Sequence, residues 1–287
     1  MQLLLTSLFL GHFIGDFLFQ TDRCAARKSF DGATLLRHCL LYFVGMFIGV
    51  LFGLGVLPAL IAAAVLAVLH GCIDFVGSLL ARRRIKKSGR NTANAPAPGF
   101  SSGRQELIHF TIDQLLHVTT ILLAFFVLSQ TLAGQAMLMP LPEALWKIDF
   151  SSLSYFPVVL VVTLAIFCTK PALVIVRTVL RAVEVSGTKQ LSASATEVGA
   201  ADTNTDIDAE LPHQKAGRVI GILERLLVLA LGLSGNFMAL GFVVAVKGLA
   251  RFKQFDEKDF AEIFLVGTLT SMLLAVAAVL VGLLALR

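Results

Sequence analysis

The chain alternates long apolar runs with short, charge-bearing gaps, and the runs have the length of membrane-crossing helices. A helix needs about 20 mostly apolar residues to cross the hydrocarbon core of a bilayer. Runs of that order fall near 3–20, 34–54, 57–80, 106–129, 153–177, 217–233, 236–251 and 262–286. The pattern predicts an all-α, polytopic integral membrane helix bundle of about eight transmembrane helices, a four-span front and a four-span back. The sixth and seventh runs are short, and "LGLSGN" (residues 231–236) between them leaves a re-entrant break open as an alternative. The first run lacks the basic stretch and small-residue cleavage site of a signal peptide, so it is expected to stay as a span.

Composition agrees with the pattern. Of 287 residues, 56% are hydrophobic and 15% charged, against about 45–50% and about 25% in soluble domains. Four cysteines without a CxxC pair read as free thiols and support neither a disulfide framework nor a zinc ribbon. The formal charge of +5 invites a nucleic-acid reading, but the placement of Lys and Arg explains it without one. "RRRIKK" (residues 82–87) follows the third run, and Arg23, Arg27, Lys28 and Arg37 separate the first two. Further groups are Arg177, Arg181, Lys189 and Lys215, then Lys247, Arg251, Lys253 and Lys258. Short cytoplasmic loops retain positive charge. One topology puts all these groups inside and both termini outside the cytoplasm, leaving Lys147 and Arg287 on the far side. The expected location is a bacterial inner membrane, with the bilayer as partner and no nucleic acid.

Two gaps are longer. Residues 88–104 read as a Gly-, Pro- and Ser-rich linker, and the polar stretch 185–213 as a disordered cytoplasmic loop. The expected organisation is a four-span domain over 1–130 and a non-cytoplasmic loop over 131–152. A fifth span follows over 153–181, the cytoplasmic loop over 182–216 and a three-span region over 217–287. No internal repeat supports a duplicated transporter fold.

Within the oily front, polar residues recur at helical spacing. "LGHFIGDFLFQTD" (residues 10–22) carries His12, Asp16 and Gln20, each four residues from the last. "HGCID" (residues 70–74) repeats the spacing with His70 and Asp74, "DQLLH" (residues 113–117) reverses it with Asp113 and His117, and His38 opens the second run. Residues four apart share one helix face, so each pair presents an imidazole beside a carboxyl. With about 1.5 Å of rise per residue, His12, His70 and Asp113 fall roughly 12–15 Å in from the cytoplasmic end. His38 lies nearest the surface and His117 deepest. Three carboxylates at span centres would cost on the order of 8–10 kcal/mol unpaired. Mutual His–Asp pairing, water or a bound cation must offset this.

An imidazole and carboxylate set without thiolate suits zinc, with manganese or iron as alternatives. His12, Asp16, His70, Asp74 and His117 are the candidate metal ligands, with Asp113 and His38 as catalytic groups or further ligands. Gln20 and Gln114 are candidate hydrogen-bonding neighbours that orient those ligands. The plainer reading is a structural hydrogen-bond network, and a proton or ion relay is a third. Gly11 and Gly15, with Gly45, Gly49 and Gly53, form small-residue stripes that let helices approach closely. In the back half, Glu224 with Arg225 and Lys247 with Arg251 read as an ion pair and snorkelling cations. The functional alternative is that Arg225 and Lys247 hold a substrate headgroup.

With these motifs in view, the chain resembles the bacterial membrane family called domain of unknown function 3307. The likeness rests on "GHFIGDFLFQTD" (residues 11–22), His38, "HGCID" and "DQLLH". It extends to the family's usual extension in "GRVIGILERLLV" (217–228), "ALGFVVAVKGLARF" (239–252) and "EIFLVGTLTS" (262–271). The resemblance implies the architecture and candidate residues. The His/Asp pattern is more distantly similar to membrane-bound metal-dependent hydrolases, an analogy of site chemistry. The leading expectation is therefore a metal-dependent hydrolase acting on a lipid or amphiphilic substrate. The alternatives are a metal-ion or proton-coupled transporter or channel using the same groups, and a non-catalytic scaffold or sensor.

Overall fold

The computed structural model describes residues 1–87, 103–135, 155–187, 212–250, 252, 256 and 258–287. Among these residues the secondary structure is helical, without strands. The elements are α1 (Gln2–His12), continued by a π-helical turn (Phe13–Leu18), α2 (Asp22–Arg27), α3 (Gly32–Leu54), α4 (Val56–Lys87) and α5 (Gly103–Gln135). They continue with α6 (Tyr155–Cys168), α7 (Lys170–Gly187), α8 (Pro212–Leu233), α9 (Phe237–Ala250) and α10 (Lys258–Ala285). The expected linker and polar loops, with Lys147 and Lys189, fall largely outside the described residues.

The chain folds as a polytopic membrane bundle. Five helical segments are long and apolar enough to cross a membrane: Gly32–Leu51, Val56–Arg83, Gly103–Thr131, Tyr155–Val183 and Phe260–Ala285. Gln2–Leu18 and Phe237–Leu249 are apolar but shorter. The sixth expected span is a helix, α8, but it does not join the long apolar set; Arg218, Glu224 and Arg225 fall within its apolar run. "LGLSGN" forms a tight turn between α8 and α9. Gly235 sits at φ 77°, and the Asn236 N–H reaches back to the Leu231 carbonyl at 2.9 Å. That six-to-one bond across a left-handed residue is a helix-ending motif that favours glycine.

The outward faces of the helices are apolar, and the buried faces carry polar groups among apolar ones. On α3, Leu36, Leu40, Val44 and Ile48 form an exposed row, while His38, Tyr42, Met46 and Val50 form the buried one. Water would favour the reverse; a lipid solvent favours this arrangement, because polar side chains then find their partners inside.

The chain divides into two compact units. The first comprises α1 to α4, α5 from Thr111, and α6 to Ile166. Its core joins Leu4, Leu8, Tyr42, Met46, Val50, Ala59, Ala63 and Ile121. Helix α1 meets α3 through glycine. A Cβ at Gly45 would lie 2.5 Å from the Gly15 nitrogen and 2.6 Å from its Cα, and one at Gly15 would lie 3.0 Å from the Tyr42 Cα. Gly49 meets the Gly11 backbone in the same way. Asp31 caps α3 by accepting from the amides of Ala33 and Thr34 at 3.2 and 3.1 Å and from the Thr34 hydroxyl. These bonds hold the Asp31 carboxyl below its ordinary pKa, the Thr34 hydroxyl being the largest cause. Between α3 and α4 the chain reverses at Gly55, whose φ of 74° is a left-handed conformation open to glycine.

In the second unit, α7 to α10 pack with the first turns of α5. Pro171 has no N–H to donate to the preceding turn, and the helix breaks at Thr169 between α6 and α7. The buried Arg225 of α8 covers the exposed carbonyls: its Nε donates to Cys168 O at 2.7 Å and its Nη2 to Thr169 O at 3.3 Å. Its Nη1 donates to Ser271 Oγ of α10 at 3.1 Å.

Candidate metal centre

The hairpin at Gly55 sets the height of two imidazoles. His38 lies 17 residues before it and His70 15 residues after it, so a rise of about 1.5 Å per residue brings them level on antiparallel helices. Close approach completes the meeting: a Cβ at Gly71 would lie 2.9 Å from Cys39 Sγ, and these are the chain neighbours of His70 and His38. The two Nε2 atoms end 3.0 Å apart.

Helix α1 adds its carboxylate through the π-helical turn. Phe19 N–H bonds to Ile14 O, five residues back, at 3.0 Å. The widened turn carries Asp16 and changes its register relative to His12, whose Nε2 lies 4.0 Å from Asp16 Oδ2. Asp16 Oδ1 instead lies 3.4 Å from His38 Nε2 and 3.8 Å from His70 Nε2. From α4, Asp74 Oδ2 lies 3.2 Å from His38 Nε2 and 3.4 Å from His70 Nε2. A zinc ion with bonds of about 2.0–2.1 Å has neighbouring tetrahedral ligands about 3.3–3.4 Å apart. The observed separations bracket that edge length.

His117 of α5 has its ring orientation fixed. Its Nδ1–H donates to the Asp113 carbonyl at 2.9 Å, which leaves Nε2 as the lone-pair nitrogen, and that atom has no hydrogen-bond partner. The ring sits 4.3 Å from His70 and 5.7 Å from His12, centroid to centroid. In His12, Nδ1 meets the Tyr42 hydroxyl at 3.3 Å, a contact either group can donate to, and Nε2 has no hydrogen-bond partner. An imidazole anchored through one nitrogen with the other left as a lone pair is the usual state of a metal-ligating histidine. The outward Nδ1 atoms of His38 and His70 also lack partners. All six side chains are buried, His12, Asp16, His38, His70, Asp74 and His117 being 0–6% exposed. Two groups place their ligand atoms within 4.8 Å of one another, Asp16–His38–His70 and His70–Asp74–His117.

Of the five residues expected as metal ligands, Asp16, His70, Asp74 and His117 fall in these two groups, together with His38, expected as a catalytic group or further ligand; His12 lies beside them, its Nε2 4.0 Å from Asp16 Oδ2. Asp113 is at the rim, its side chain 34% exposed, 3.7 Å from His117 Nδ1. Gln114 links rim to centre: its Nε2 donates to Asp113 Oδ2 at 3.2 Å and to Asp16 Oδ2 at 3.4 Å. Gln20 accepts from Lys28 Nζ at 3.4 Å. Arg225 and Lys247, read first as part of an ion pair and a snorkelling cation with a headgroup role as the alternative, both engage protein groups. Arg225 holds backbone carbonyls and Ser271, and Lys247 pairs with Glu224.

Two members were not foreseen. Tyr42 lies flat on His70, centroids 3.7 Å apart and planes 9° apart, while its hydroxyl meets His12. It stands four residues after His38, the spacing used for the other pairs, so periodicity could have found it. Lys28, read as one of several topogenic cations, reaches in from the end of α2 and donates to Asp74 Oδ1 and Oδ2 at 3.1 and 2.9 Å. Burial opposes its charge, but Asp74 and then Asp16 outweigh this and hold the ammonium above the ordinary lysine range.

Residues 4–145 match the model of the family described as protein of unknown function (DUF3307). That segment belongs to this family. It contains every member of the cluster, so the His/Asp centre is a feature of the DUF3307 segment, whereas α6 to α10 lie beyond it. No curated protein and no solved structure matches the chain.

Proposed function

We propose that the DUF3307 segment binds a divalent cation, zinc first among the candidates, and that the protein is an integral membrane hydrolase acting on a lipid or amphiphilic substrate. The observation that carries this reading is the convergence of His38 Nε2, His70 Nε2, Asp16 Oδ1 and Asp74 Oδ2 at 3.0–3.8 Å from three separate elements. Hydrogen bonding alone accounts for it poorly. Two imidazole nitrogens in contact, each with a carboxylate oxygen of Asp16 and of Asp74 within 3.8 Å, offer more lone pairs than protons, and Lys28 is directed at Asp74. A bound divalent cation supplies Lewis acidity, lowering the pKa of water toward about 7 and polarising a carbonyl or phosphoryl oxygen.

The remaining groups support hydrolysis over simple ion binding, because donors are left once four are assigned to one ion. His117 Nε2 offers a buried lone pair beside His70 and can accept a proton from attacking water. Asp113, half-exposed at the rim and joined to Asp16 through Gln114, can pass that proton outward or return it to a leaving group. Tyr42 and Lys28 position His12, His70 and Asp74. A centre inside the bilayer's apolar region favours substrates that partition there.

A metal-ion transporter is the second reading, favoured by one observation: the donors are almost fully enclosed, as in an occluded ion site. Metal analysis of the purified full chain and of His70→Ala tests the shared premise, with stoichiometric zinc in the first and loss in the second expected. Zinc-dependent cleavage of detergent-solubilised lipid supports the hydrolase. Zinc flux into sealed proteoliposomes without cleavage replaces it with the transporter, and absence of metal from both proteins removes both readings.

A further inference from the structure

The helices of the second unit surround a cavity of about 1140 Å³, larger than the ~300–1,000 Å³ of common small-molecule sites. Contacts within the unit fix the direction of each wall. Arg225 meets Ser271 and Gly232 faces Val279, so α8 and α10 run parallel. Leu180 lies against Gly267, and Cys168 lies at Arg225, so α7 runs against them. The turn at Gly235 reverses the chain into α9, and Glu224 pairs with Lys247 across it. One end of the cavity therefore receives Arg177 and Arg181 from α7 and Arg218 from α8, with Lys247 a turn further in. The other end receives Leu173, Leu227, Leu231 and Phe242. Among the described residues, five of the charged side chains lining the cavity are basic and one, Glu224, is acidic; Arg181 also holds Glu106.

A site that is cationic at one end, apolar at the other and too large for a metabolite matches an anionic amphiphile. We propose that this cavity holds one anionic glycerophospholipid drawn from the surrounding bilayer, its phosphate at Arg177, Arg181 and Arg218 and its acyl chains against Leu173, Leu227, Leu231 and Phe242. Guanidinium forks suit phosphate oxygens, and basic pockets between membrane helices bind anionic headgroups. The bilayer supplies the ligand at high local concentration. The proposal stands apart from the metal centre, since none of its residues belongs to the His/Asp cluster.

The test is native mass spectrometry of the full chain released from nanodiscs with equal amounts of phosphatidylglycerol and phosphatidylcholine bearing the same acyl chains. One phosphatidylglycerol per chain is expected, preferred about tenfold, and the preference should fall to parity in Arg177→Gln/Arg218→Gln. Equal retention of both lipids by the unaltered chain overturns the proposal without recourse to any variant. An unchanged preference in the double variant overturns it as well. So does lipid retention that appears only after residues 190–208 are deleted, which would make the chain's own loop the occupant.

Discussion

His117 shows how a single side chain reveals its role through the state of its two nitrogens. The Asp113 carbonyl accepts from Nδ1–H, so in the neutral ring the buried Nε2 is the lone pair, and it has no hydrogen-bond partner, a condition that buried polar atoms rarely tolerate. His12 depends similarly on Tyr42, which allows a graded test. His70→Ala removes a candidate ligand and is expected to abolish stoichiometric zinc. Tyr42→Phe keeps the ring on His70 but deletes the hydroxyl, and should weaken zinc binding about 10-fold with the stoichiometry intact, as read by competition with a chromogenic chelator. Equal affinity in Tyr42→Phe would remove Tyr42 from any positioning role. Lys28 gives a prediction of opposite sign. Lys28→Gln leaves Asp74 with only the His38 and His70 imidazoles, at a cost below the about 3–5 kcal/mol of an unpaired buried charge, so the zinc-free variant should unfold at lower denaturant. Zinc then meets one less positive charge, and the stabilisation it adds should exceed that in the parent chain; an equal or smaller gain would separate Lys28 from the centre. In the sequence, the ligand residues were visible because ionisable groups stand out in apolar runs. Tyr42 blended into such a run, and Lys28 was lost among loop cations, since its depth is set by the path of α2.

The meeting of α1 and α3 is what turns these spacings into one site. Gly15 and Gly45 are in backbone contact, and a methyl group at Gly45 has only main-chain atoms to push against. Gly45→Ala should therefore destabilise by at least the ~1–3 kcal/mol of ordinary overpacking and separate Asp16 from His38, lowering zinc retention. Gly77 is the control, on α4 with open space around its missing Cβ. Gly77→Ala should be neutral or stabilise by up to about 1 kcal/mol, with zinc unchanged. Equal behaviour of the two variants in a thermal-aggregation assay would discount the close crossing. At this scale the sequence was informative: the apolar runs gave α3, α4, α5 and α10, and the glycine stripes marked the crossing. The π-helical turn was not legible. Its shifted hydrogen bonds leave no mark on residue spacing, so the His12–Asp16 pair looked like an ordinary helical one. α8 was legible as a helix from its apolar run, but the partners of its charges, Lys247 for Glu224 and the Cys168 and Thr169 carbonyls for Arg225, were not.

At the scale of the whole chain, the division into two units predicts that damage can be confined to one of them. Arg225 is the strongest probe, because it ties α8 to the carbonyls of Cys168 and Thr169 and to Ser271, all within the second unit. Arg225→Ala strands those acceptors where water is scarce, at about 1–3 kcal/mol for each group left unsatisfied. A chain with two units need not unfold in one step, so a single midpoint is a poor readout. Cys168 is a local one: it is buried under Arg225, whereas Cys24 and Cys39 are half-buried and Cys72 is exposed. Labelling with a membrane-permeant maleimide, followed by peptide mapping, should find Cys168 modified faster in Arg225→Ala and Cys39 unchanged. Zinc content should equal that of the parent chain, because every candidate ligand lies in the first unit. Loss of zinc from Arg225→Ala with Cys39 still protected would instead tie Arg225 to the His/Asp centre and restore the headgroup role that its bonds to Cys168, Thr169 and Ser271 argue against.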